Sequence, residues 1–173
     1  YLLHKAKDFY QTGIVDGLEI CKNKGLVQNI GVSVYEPTDA LAAVKSGRID
    51  YIQIPYNVFD QRLDETDFFE LADKNKVKVF ARSAFLQGLL LMKVEELPVH
   101  LLMAKPYLMK FHQIIKTHGY SPAEAAWLFS IFHKGIDKVV FGVESKLQLD
   151  SNIKMVERHM GFKACYDDLL GAF

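Results

Sequence analysis

Residues 29–54, NIGVSVYEPTDALAAVKSGRIDYIQI, decide the fold class of this 173-residue chain. The short β-branched run over residues 29–34 predicts a strand, and residues 50–54 repeat the pattern as the next strand. Between them, Pro37 begins an amphipathic segment that ends at Ser46-Gly47, which is typical of a helix with proline in its first turn. Strand, helix and strand in this order predict a βα unit of a parallel sheet.

The same alternation extends towards both ends of the chain. Upstream, Leu2-Leu3 resembles the end of a strand, and residues 11–24 predict a helix. Downstream, a helix capped by Asp64 or Thr66 leads to a strand over residues 77–81. The rest of the chain predicts a long excursion over residues 82–105, helices over 106–118 and 121–134 (the latter capped by Ser121), a strand over 136–142, a helix over 146–159 and a short helix in the tail over 164–173.

Five parallel strands leave two α/β architectures open. One is an open doubly wound sheet, and the other is the later part of an eight-stranded (β/α)8 TIM barrel, whose complete form needs about 250 residues. A strand at the first residues favours the partial barrel. No linker rich in serine and glycine and no charge run divides the chain, so we expect residues 1–173 to form a single domain.

The composition excludes several classes of partner. With 21 basic and 21 acidic side chains, the chain lacks the basic surface that nucleic acid or anionic lipid requires. Its longest apolar run, residues 84–92, is much shorter than the roughly 20 residues that span a bilayer. Its two cysteines predict neither a disulfide framework nor a metal site and favour a reducing, cytoplasmic location. A small, near-neutral ligand fits this chain better.

Polar side chains follow the predicted strands at the edge where parallel α/β folds bind ligands. His4 follows the first strand, and its imidazole can exchange a proton with a substrate oxygen, although a lone histidine at a strand end is more often structural. Ser33 and Gln53 end the next two strands. They offer the hydroxyl and carboxamide that would fix a planar amide, or they cap turns.

Two segments are candidates for binding an anion. Phe85, Gln87 and Gly88 can bring backbone N–H groups close to a diphosphate, or they form a tight turn. The last long helix has a positive N-terminal end, and Gln148 and Asn152 share one of its faces. Neither GxGxxG nor GxxxxGK[ST] is present, so a Rossmann or P-loop phosphate site is not supported.

Five ordered strings resemble the aldo-keto reductase family. They are YLLH at residues 1–4, GLVQNIGVS at 25–33, QIPYN at 53–57, ARS at 81–83 with QG at 87–88, and GVESKLQL at 142–149 with Asn152. The resemblance implies a (β/α)8 barrel that binds NADP(H) without a Rossmann fold, with NAD(H) as the alternative cofactor. It implies reduction of aldehydes or ketones to alcohols by hydride transfer, and it places the chain from the end of the fourth barrel strand onward.

The resemblance also assigns roles to individual residues. His4 matches the active-site histidine that orients the substrate carbonyl, and Ser33 and Gln53 match the residues that hold the nicotinamide carboxamide. Arg82 stands where an aromatic ring often stacks on the nicotinamide. The other matches are Ser83, Phe85 and Gln87 along the diphosphate, Lys93 near the cofactor phosphates, and Gly142, Glu144, Gln148 and Asn152 around the adenosine end.

Three departures from the family pattern affect these assignments. Val34 replaces an asparagine that often contacts the carboxamide, and Glu144 stands where a small hydroxyl residue often meets the 2′-phosphate. A carboxylate beside that phosphate would repel it, which puts a preference for NADP(H) in question. The family's aspartate, tyrosine acid and lysine come from strands before His4, so we expect the 173-residue chain to be inactive alone.

Other interpretations stay open. The same half-barrel could serve as a non-catalytic module that binds a nicotinamide cofactor or regulates a partner. As an enzyme, the chain is expected to meet a small carbonyl substrate and the N-terminal half of the barrel. Two copies could instead associate through the open parallel edges of the sheet.

Overall fold

A computed structural model describes the whole chain, residues 1–173. Its five strands form one sheet in the order β1–β2–β3–β4–β5. The strands are β1 (Leu2–Leu3), β2 (Gly31–Ser33), β3 (Tyr51–Pro55), β4 (Lys78–Arg82) and β5 (Lys138–Val139). β1 pairs with β2, β2 with β3 and β3 with β4, all in parallel. The predicted α/β fold with about five parallel strands is therefore confirmed.

Eight α-helices accompany the strands. They are α1 (Ala6–Phe9), α2 (Thr12–Asn23), α3 (Pro37–Lys45), α4 (Phe68–Lys74), α5 (Lys105–Thr117), α6 (Pro122–Phe132), α7 (Lys146–Val156) and α8 (Lys163–Leu169). The predicted excursion contains three 3₁₀ segments, Leu86–Leu91, Val94–Glu96 and Val99–Ala104. None of the helices has the length and apolar character that crossing a membrane requires.

The predicted cap of α6 is confirmed. At the start of α6, Ser121 Oγ accepts the Glu124 N–H at 3.3 Å and the Glu124 carboxylate accepts the Ser121 N–H at 2.9 Å. The predicted caps of α4, Asp64 or Thr66, are wrong, because its N-cap is Asp67, whose side chain makes no capping hydrogen bond. Thr66 Oγ1 does accept the Phe68 N–H, at 3.2 Å. The short helix α1 was not predicted, and α7 ends at Val156, short of the predicted residue 159.

The last predicted strand and the tail helix are shorter than expected. Only Lys138–Val139 of residues 136–142 form β5. The apolar pattern continues beyond it, but residues 140–143 line a cavity, so periodicity overestimates the strand. The tail helix ends at Leu169 because Leu170 is extended and Gly171 takes a left-handed φ of 70°.

The chain divides into two compact units. Unit 1 consists of Tyr1–Pro55, Arg62–Arg82 and Lys134–Lys138, and unit 2 of Tyr56–Gln61, Ser83–His133 and Val139–Phe173. Each unit is described by itself below, and the single domain expected from the sequence stays a prediction.

In unit 1, the two faces of β3 and β4 differ in burial. Ile52 pairs with Val79 and Ile54 with Ala81, and all four side chains are buried. Gln53 lies on the opposite face and is half-buried, because successive side chains of a strand alternate between faces. The less buried face therefore carries the polar residues of the strand ends.

Two aspartates of unit 1 anchor the sheet through their carboxylates. Asp50 accepts hydrogen bonds from Lys22 Nζ at 2.6 Å and from the Ile30 N–H at 2.9 Å. Asp137 accepts a hydrogen bond from Lys78 Nζ at 2.8 Å. Burial alone would raise the pKa of Asp50, but these hydrogen bonds outweigh burial and hold the pKa below its ordinary value.

We expect Asp50→Asn to remove part of the acid sensitivity of folding. Because the folded chain lowers the pKa of Asp50, its contribution to stability is complete above the unfolded pKa of about 3.9 and is lost as the pH falls through the folded value. The wild-type chain should therefore lose more stability than the variant between about pH 5 and about pH 2 in urea denaturation followed by circular dichroism.

Asp67→Asn is the matched control for this measurement. The Asp67 carboxylate is exposed and lies 4.0 Å from Lys45 Nζ, so its removal should change the free energy of unfolding by less than about 0.5 kcal/mol. An equal loss of stability in acid for the wild-type chain and Asp50→Asn would contradict the prediction.

Helix α6 forms the centre of unit 2. Its residues from Ala125 to Ser130 are all buried, as is typical of a helix that is apolar on every side. Phe129 stacks on Tyr56 with ring centroids 5.5 Å apart, and Ser130 Oγ donates a hydrogen bond to Tyr56 O at 3.0 Å. These contacts fix the orientation of α6 within the unit.

Candidate functional site

The parallel register of β2 and β3 places Ser33 directly beside Gln53 in unit 1. Ser33 Oγ donates a hydrogen bond to Gln53 Oε1 at 3.2 Å. Ser33 is buried, whereas Gln53 is half-buried and its Nε2 makes no hydrogen bond within the chain. The structure thus brings together the hydroxyl and carboxamide that the sequence singled out, with donor capacity left on the amide.

Arg82 is held against a tyrosine at the end of β4. Its Cζ lies 4.0 Å from the centre of the Tyr35 ring, and its Nη2 donates to Val34 O at 3.3 Å. A guanidinium over an aromatic face gains a cation–π attraction that fixes its plane. Sequence reasoning missed Tyr35, because a single exposed aromatic residue after a strand gives no distinguishing signal.

His4 lies in a bend directly after β1. Leu3 pairs with Val32, so His4 and Ser33 follow paired residues at the same edge of the sheet. The His4 side chain is exposed and makes no hydrogen bond within the chain. His4 and Ser33 therefore lie at the same edge of the sheet, with no hydrogen bond between them.

Unit 2 contains a cavity of about 610 Å³, within the usual range for small-molecule sites. It lies between the loop that follows β4 and the beginning of α7. Seven of the predicted site residues line it: Ser83, Phe85, Gln87, Gly142, Glu144, Gln148 and Asn152. Folding thus brings together residues of two segments that are far apart in the sequence.

The loop wall of this cavity is strained. Ser83, Leu86 and Gln87 have φ values of 66°, 46° and 52°, in the left-handed region that favours glycine. Such conformations cost about 1–2 kcal/mol for each non-glycine residue and concentrate at functional sites. The Gly88 N–H, a candidate donor to a diphosphate, instead donates to Phe85 O at 2.9 Å within the turn.

The helix wall of the cavity is arranged by Gln148. The Glu144 N–H donates to Gln148 Oε1 at 2.8 Å, and the Gln148 N–H donates to Ser145 Oγ at 3.2 Å, which caps α7. Two N–H groups at the beginning of the helix are therefore used within the chain. The Glu144 carboxylate is exposed and forms no ion pair.

Trp127 supports the cavity from α6, and sequence reasoning missed it. Its Nε1 donates to Asn152 O at 3.1 Å. Its ring stacks on Phe85 at 5.7 Å and meets Phe141 edge-on at 4.3 Å, both measured between centroids. Since Phe85, Phe141 and Asn152 all line the cavity, one buried side chain ties three parts of its wall together.

Lys93 does not line this cavity. Its Nζ donates to Glu96 Oε1 at 2.9 Å, and its side chain is exposed. The hydrogen bond from Lys93 to the Glu96 carboxylate raises the pKa of Lys93. The structure therefore brings the other predicted residues of unit 2 together but leaves Lys93 apart.

The parallel sheet with its crossover helices places the chain among the α/β proteins, and the cavity of unit 2 has the size of a small-molecule site. The sequence model described as the aldo/keto reductase family matches residues 1–161. The chain therefore belongs to the aldo/keto reductase family, and the resemblance seen in its sequence is confirmed. A comparison with curated protein sequences gives no match.

Solved structures of aldo-keto reductases share this fold. The chain is similar to aldo-keto reductase AKR11C1 from Bacillus halodurans in its holo and apo forms, with a TM-score of 0.75 for each and 21% and 22% identity. These matches cover 95% of this chain and 57% and 60% of the other chains. The thermostable aldo-keto reductase Tm1743, in complex with the inhibitor epalrestat, matches with a TM-score of 0.62 and 19% identity, over 89% of this chain and 53% of that chain.

These matches confirm the partial TIM barrel and decide against the doubly wound sheet. The chain spans less than two thirds of the length of each of these solved relatives. At such low identity, the likeness to solved structures concerns the fold alone.

Proposed function

We propose that this chain carries the cofactor-binding part of an oxidoreductase that reduces aldehydes or ketones to alcohols with a nicotinamide dinucleotide. The observation that carries the proposal is the cavity of unit 2, which is lined by seven residues that the family pattern assigns to the cofactor. Membership of the aldo/keto reductase family supports an oxidoreductase role.

Each unit by itself offers residues that suit part of such a cofactor. The adjacent hydroxyl of Ser33 and carboxamide of Gln53 suit the nicotinamide carboxamide, which needs one donor and one acceptor. The aromatic rings of Phe85 and Phe141 and the amide of Asn152 suit a flat base with polar edges. When bound, the cofactor supplies the hydride that carbonyl reduction requires.

His4 is our candidate for orienting the substrate carbonyl. It lies at the same sheet edge as Ser33, and an imidazole N–H there can donate a hydrogen bond to a carbonyl oxygen. The family pattern assigns the tyrosine that donates the proton to strands before His4. We therefore propose that the 173-residue chain binds the cofactor but does not turn over a carbonyl.

Trp127 provides the measurement, because it is the only tryptophan and lies against the cavity wall. We expect NADH to quench its emission saturably, and Gln53→Ala to weaken binding about tenfold through the lost hydrogen bond. Gln28→Ala, at an exposed position, is the matched control and should bind like the wild-type chain. Absence of saturable quenching, or equal binding by Gln53→Ala, would contradict the assignment.

Two further measurements test the catalytic part of the proposal. Carbonyl-dependent oxidation of NADH by the 173-residue chain would contradict the claim that the proton donor lies outside it. The coding sequence upstream of Tyr1 then separates the enzyme from a non-catalytic module of the same fold. Preceding βα units with Asp, Tyr and Lys support the reductase, and an upstream sequence without them supports the binding module.

A further inference from the structure

We propose that the cavity of unit 2 selects a dinucleotide without a 2′-phosphate, and therefore NAD(H) over NADP(H). This inference rests on the proposed function for the presence of a nicotinamide dinucleotide in the cavity. It goes further by naming the cofactor class and the residue that determines it, Glu144. It also revises the NADP(H) preference that the family resemblance implies.

The argument begins with the charge of the cavity. Of the residues that line it, Glu144 is the only charged one, and neither lysine, arginine nor histidine is among them. The remaining lining consists of aromatic, aliphatic, thioether, hydroxyl and amide side chains and glycine. The fixed charge of this site is therefore negative, which disfavours any additional anion.

Two basic side chains of unit 2 are already paired with carboxylates. Lys146 Nζ, at the first position of α7, donates to Asp150 at 2.7 Å. Lys93 Nζ donates to Glu96 at 2.9 Å. A phosphate in the cavity that recruited either of these two lysines would have to separate it from its carboxylate, which reduces the free energy gained from the new contact.

The comparison of the two cofactors depends on the pose of the ligand only through the 2′-phosphate, which the family pattern assigns to the adenosine end beside Glu144. NADH and NADPH carry the same diphosphate, so its interactions cancel in the ratio of their affinities. What remains is the 2′-phosphate, which meets a cavity without a cation and with the Glu144 carboxylate as its only charge. The Glu144 N–H, a neutral donor that could bind a phosphate oxygen, already donates a hydrogen bond to Gln148 Oε1.

A free 2′-hydroxyl suits the same carboxylate. A hydroxyl can donate a hydrogen bond to a carboxylate oxygen, and acidic residues hold the ribose hydroxyl of NAD in other α/β sites. Because the Glu144 carboxylate is exposed and unpaired, it is able to accept such a bond without breaking another. The same side chain thus favours one cofactor and disfavours the other.

The test measures the dissociation constants of NADH and NADPH by quenching of Trp127 emission. We expect the wild-type chain to bind NADH at least about tenfold more tightly than NADPH. Glu144→Gln, which keeps the shape and removes the charge, should reduce this ratio to less than about threefold, chiefly by tightening NADPH binding. Glu157→Gln makes the same change at the opposite end of α7, outside this cavity, and should keep the wild-type ratio.

Ionic strength provides an independent readout. Raising the salt concentration from about 0.05 M to about 0.5 M should bring the two affinities closer in the wild-type chain, because salt screens the repulsion. In Glu144→Gln the ratio should change little with salt. A purely structural role of Glu144 would give a ratio that is insensitive to salt in both proteins.

The outcomes separate this inference from the proposed function. If both cofactors bind and NADPH binds as tightly as NADH or more tightly, the inference is wrong and the proposed function stands. If Glu144→Gln keeps the wild-type ratio of NADH affinity to NADPH affinity, the role assigned to the Glu144 charge is wrong. If a folded wild-type chain binds neither cofactor, the proposed function fails and this inference fails with it.

Discussion

Replacing Gly31 with alanine should lower the free energy of unfolding by about 3 kcal/mol or more, since core overpacking of this severity reaches the upper end of the usual range. A Cβ at this position would lie 1.9 Å from Tyr51 O and 2.6 Å from Leu2 Cδ2. The Leu2 side chain can rotate away, but Tyr51 O is backbone. Because Gly31 pairs with Leu2 on one side and Tyr51 on the other, relief of this contact must displace a strand.

Gly17→Ala is the matched control, because it makes the same change inside α2 where nothing lies within 4 Å of the new Cβ. Alanine in a helix interior should raise the free energy of unfolding by up to about 1 kcal/mol. The two variants should therefore shift the urea midpoint, measured by circular dichroism, in opposite directions. A midpoint for Gly31→Ala equal to that of the wild-type chain would show that β2 and β3 can separate without cost.

The consequence of Gly31→Ala for the site is local. Ser33 is on the same short strand, and its register with Gln53 depends on the pairing of β2 with β3. Displacing β2 should lengthen the hydrogen bond from Ser33 Oγ to Gln53 Oε1, which is 3.2 Å in the native chain. We therefore expect the variant to bind NADH more weakly even under conditions where it remains folded.

Those parts of the fold that depend on local chemistry could be predicted from the sequence. The β-branched runs predict β2 and β3, and Ser121 with Glu124 predicts the beginning of α6, because strand preference and capping act over a few residues. The adjacency of Ser33 and Gln53 follows from their equivalent places at the ends of neighbouring parallel strands. The strand at the first residues favours the partial (β/α)8 barrel, and the family resemblance specifies it.

The rest depends on tertiary contacts that no local pattern contains. The apolar run after Lys138 predicts a longer strand, but its later residues form a cavity wall instead of pairing. Trp127 on a uniformly apolar helix gives no sign that it contacts Phe85 and Phe141, which lie in distant segments. The left-handed conformation of Gln87 is equally invisible, because glycine is the usual signal for it.

Trp127→Leu should have the second large effect, on both stability and binding. Replacing the buried indole with a smaller side chain should lower the free energy of unfolding by about 3 kcal/mol. It should also leave a void between Phe85 and Phe141. The Asn152 carbonyl would also lose the Nε1 donor at 3.1 Å. Because these three residues line the cavity, we expect NADH affinity, followed by the emission of NADH itself, to fall more than about tenfold.

Phe129→Leu separates the support of the cavity from general destabilisation. Phe129 is buried on the same helix but packs on Tyr56 and Tyr166, away from the cavity wall. It should lower the free energy of unfolding by about 1–3 kcal/mol, up to the loss expected for Trp127→Leu, and leave the NADH affinity of the folded chain near that of the wild type. Trp127→Phe keeps an aromatic ring and removes the hydrogen bond to Asn152 O. Its NADH affinity should therefore lie between those of Phe129→Leu and Trp127→Leu. Equal loss of affinity in Phe129→Leu and Trp127→Leu would mean that binding follows overall stability, and the support assigned to Trp127 would be wrong.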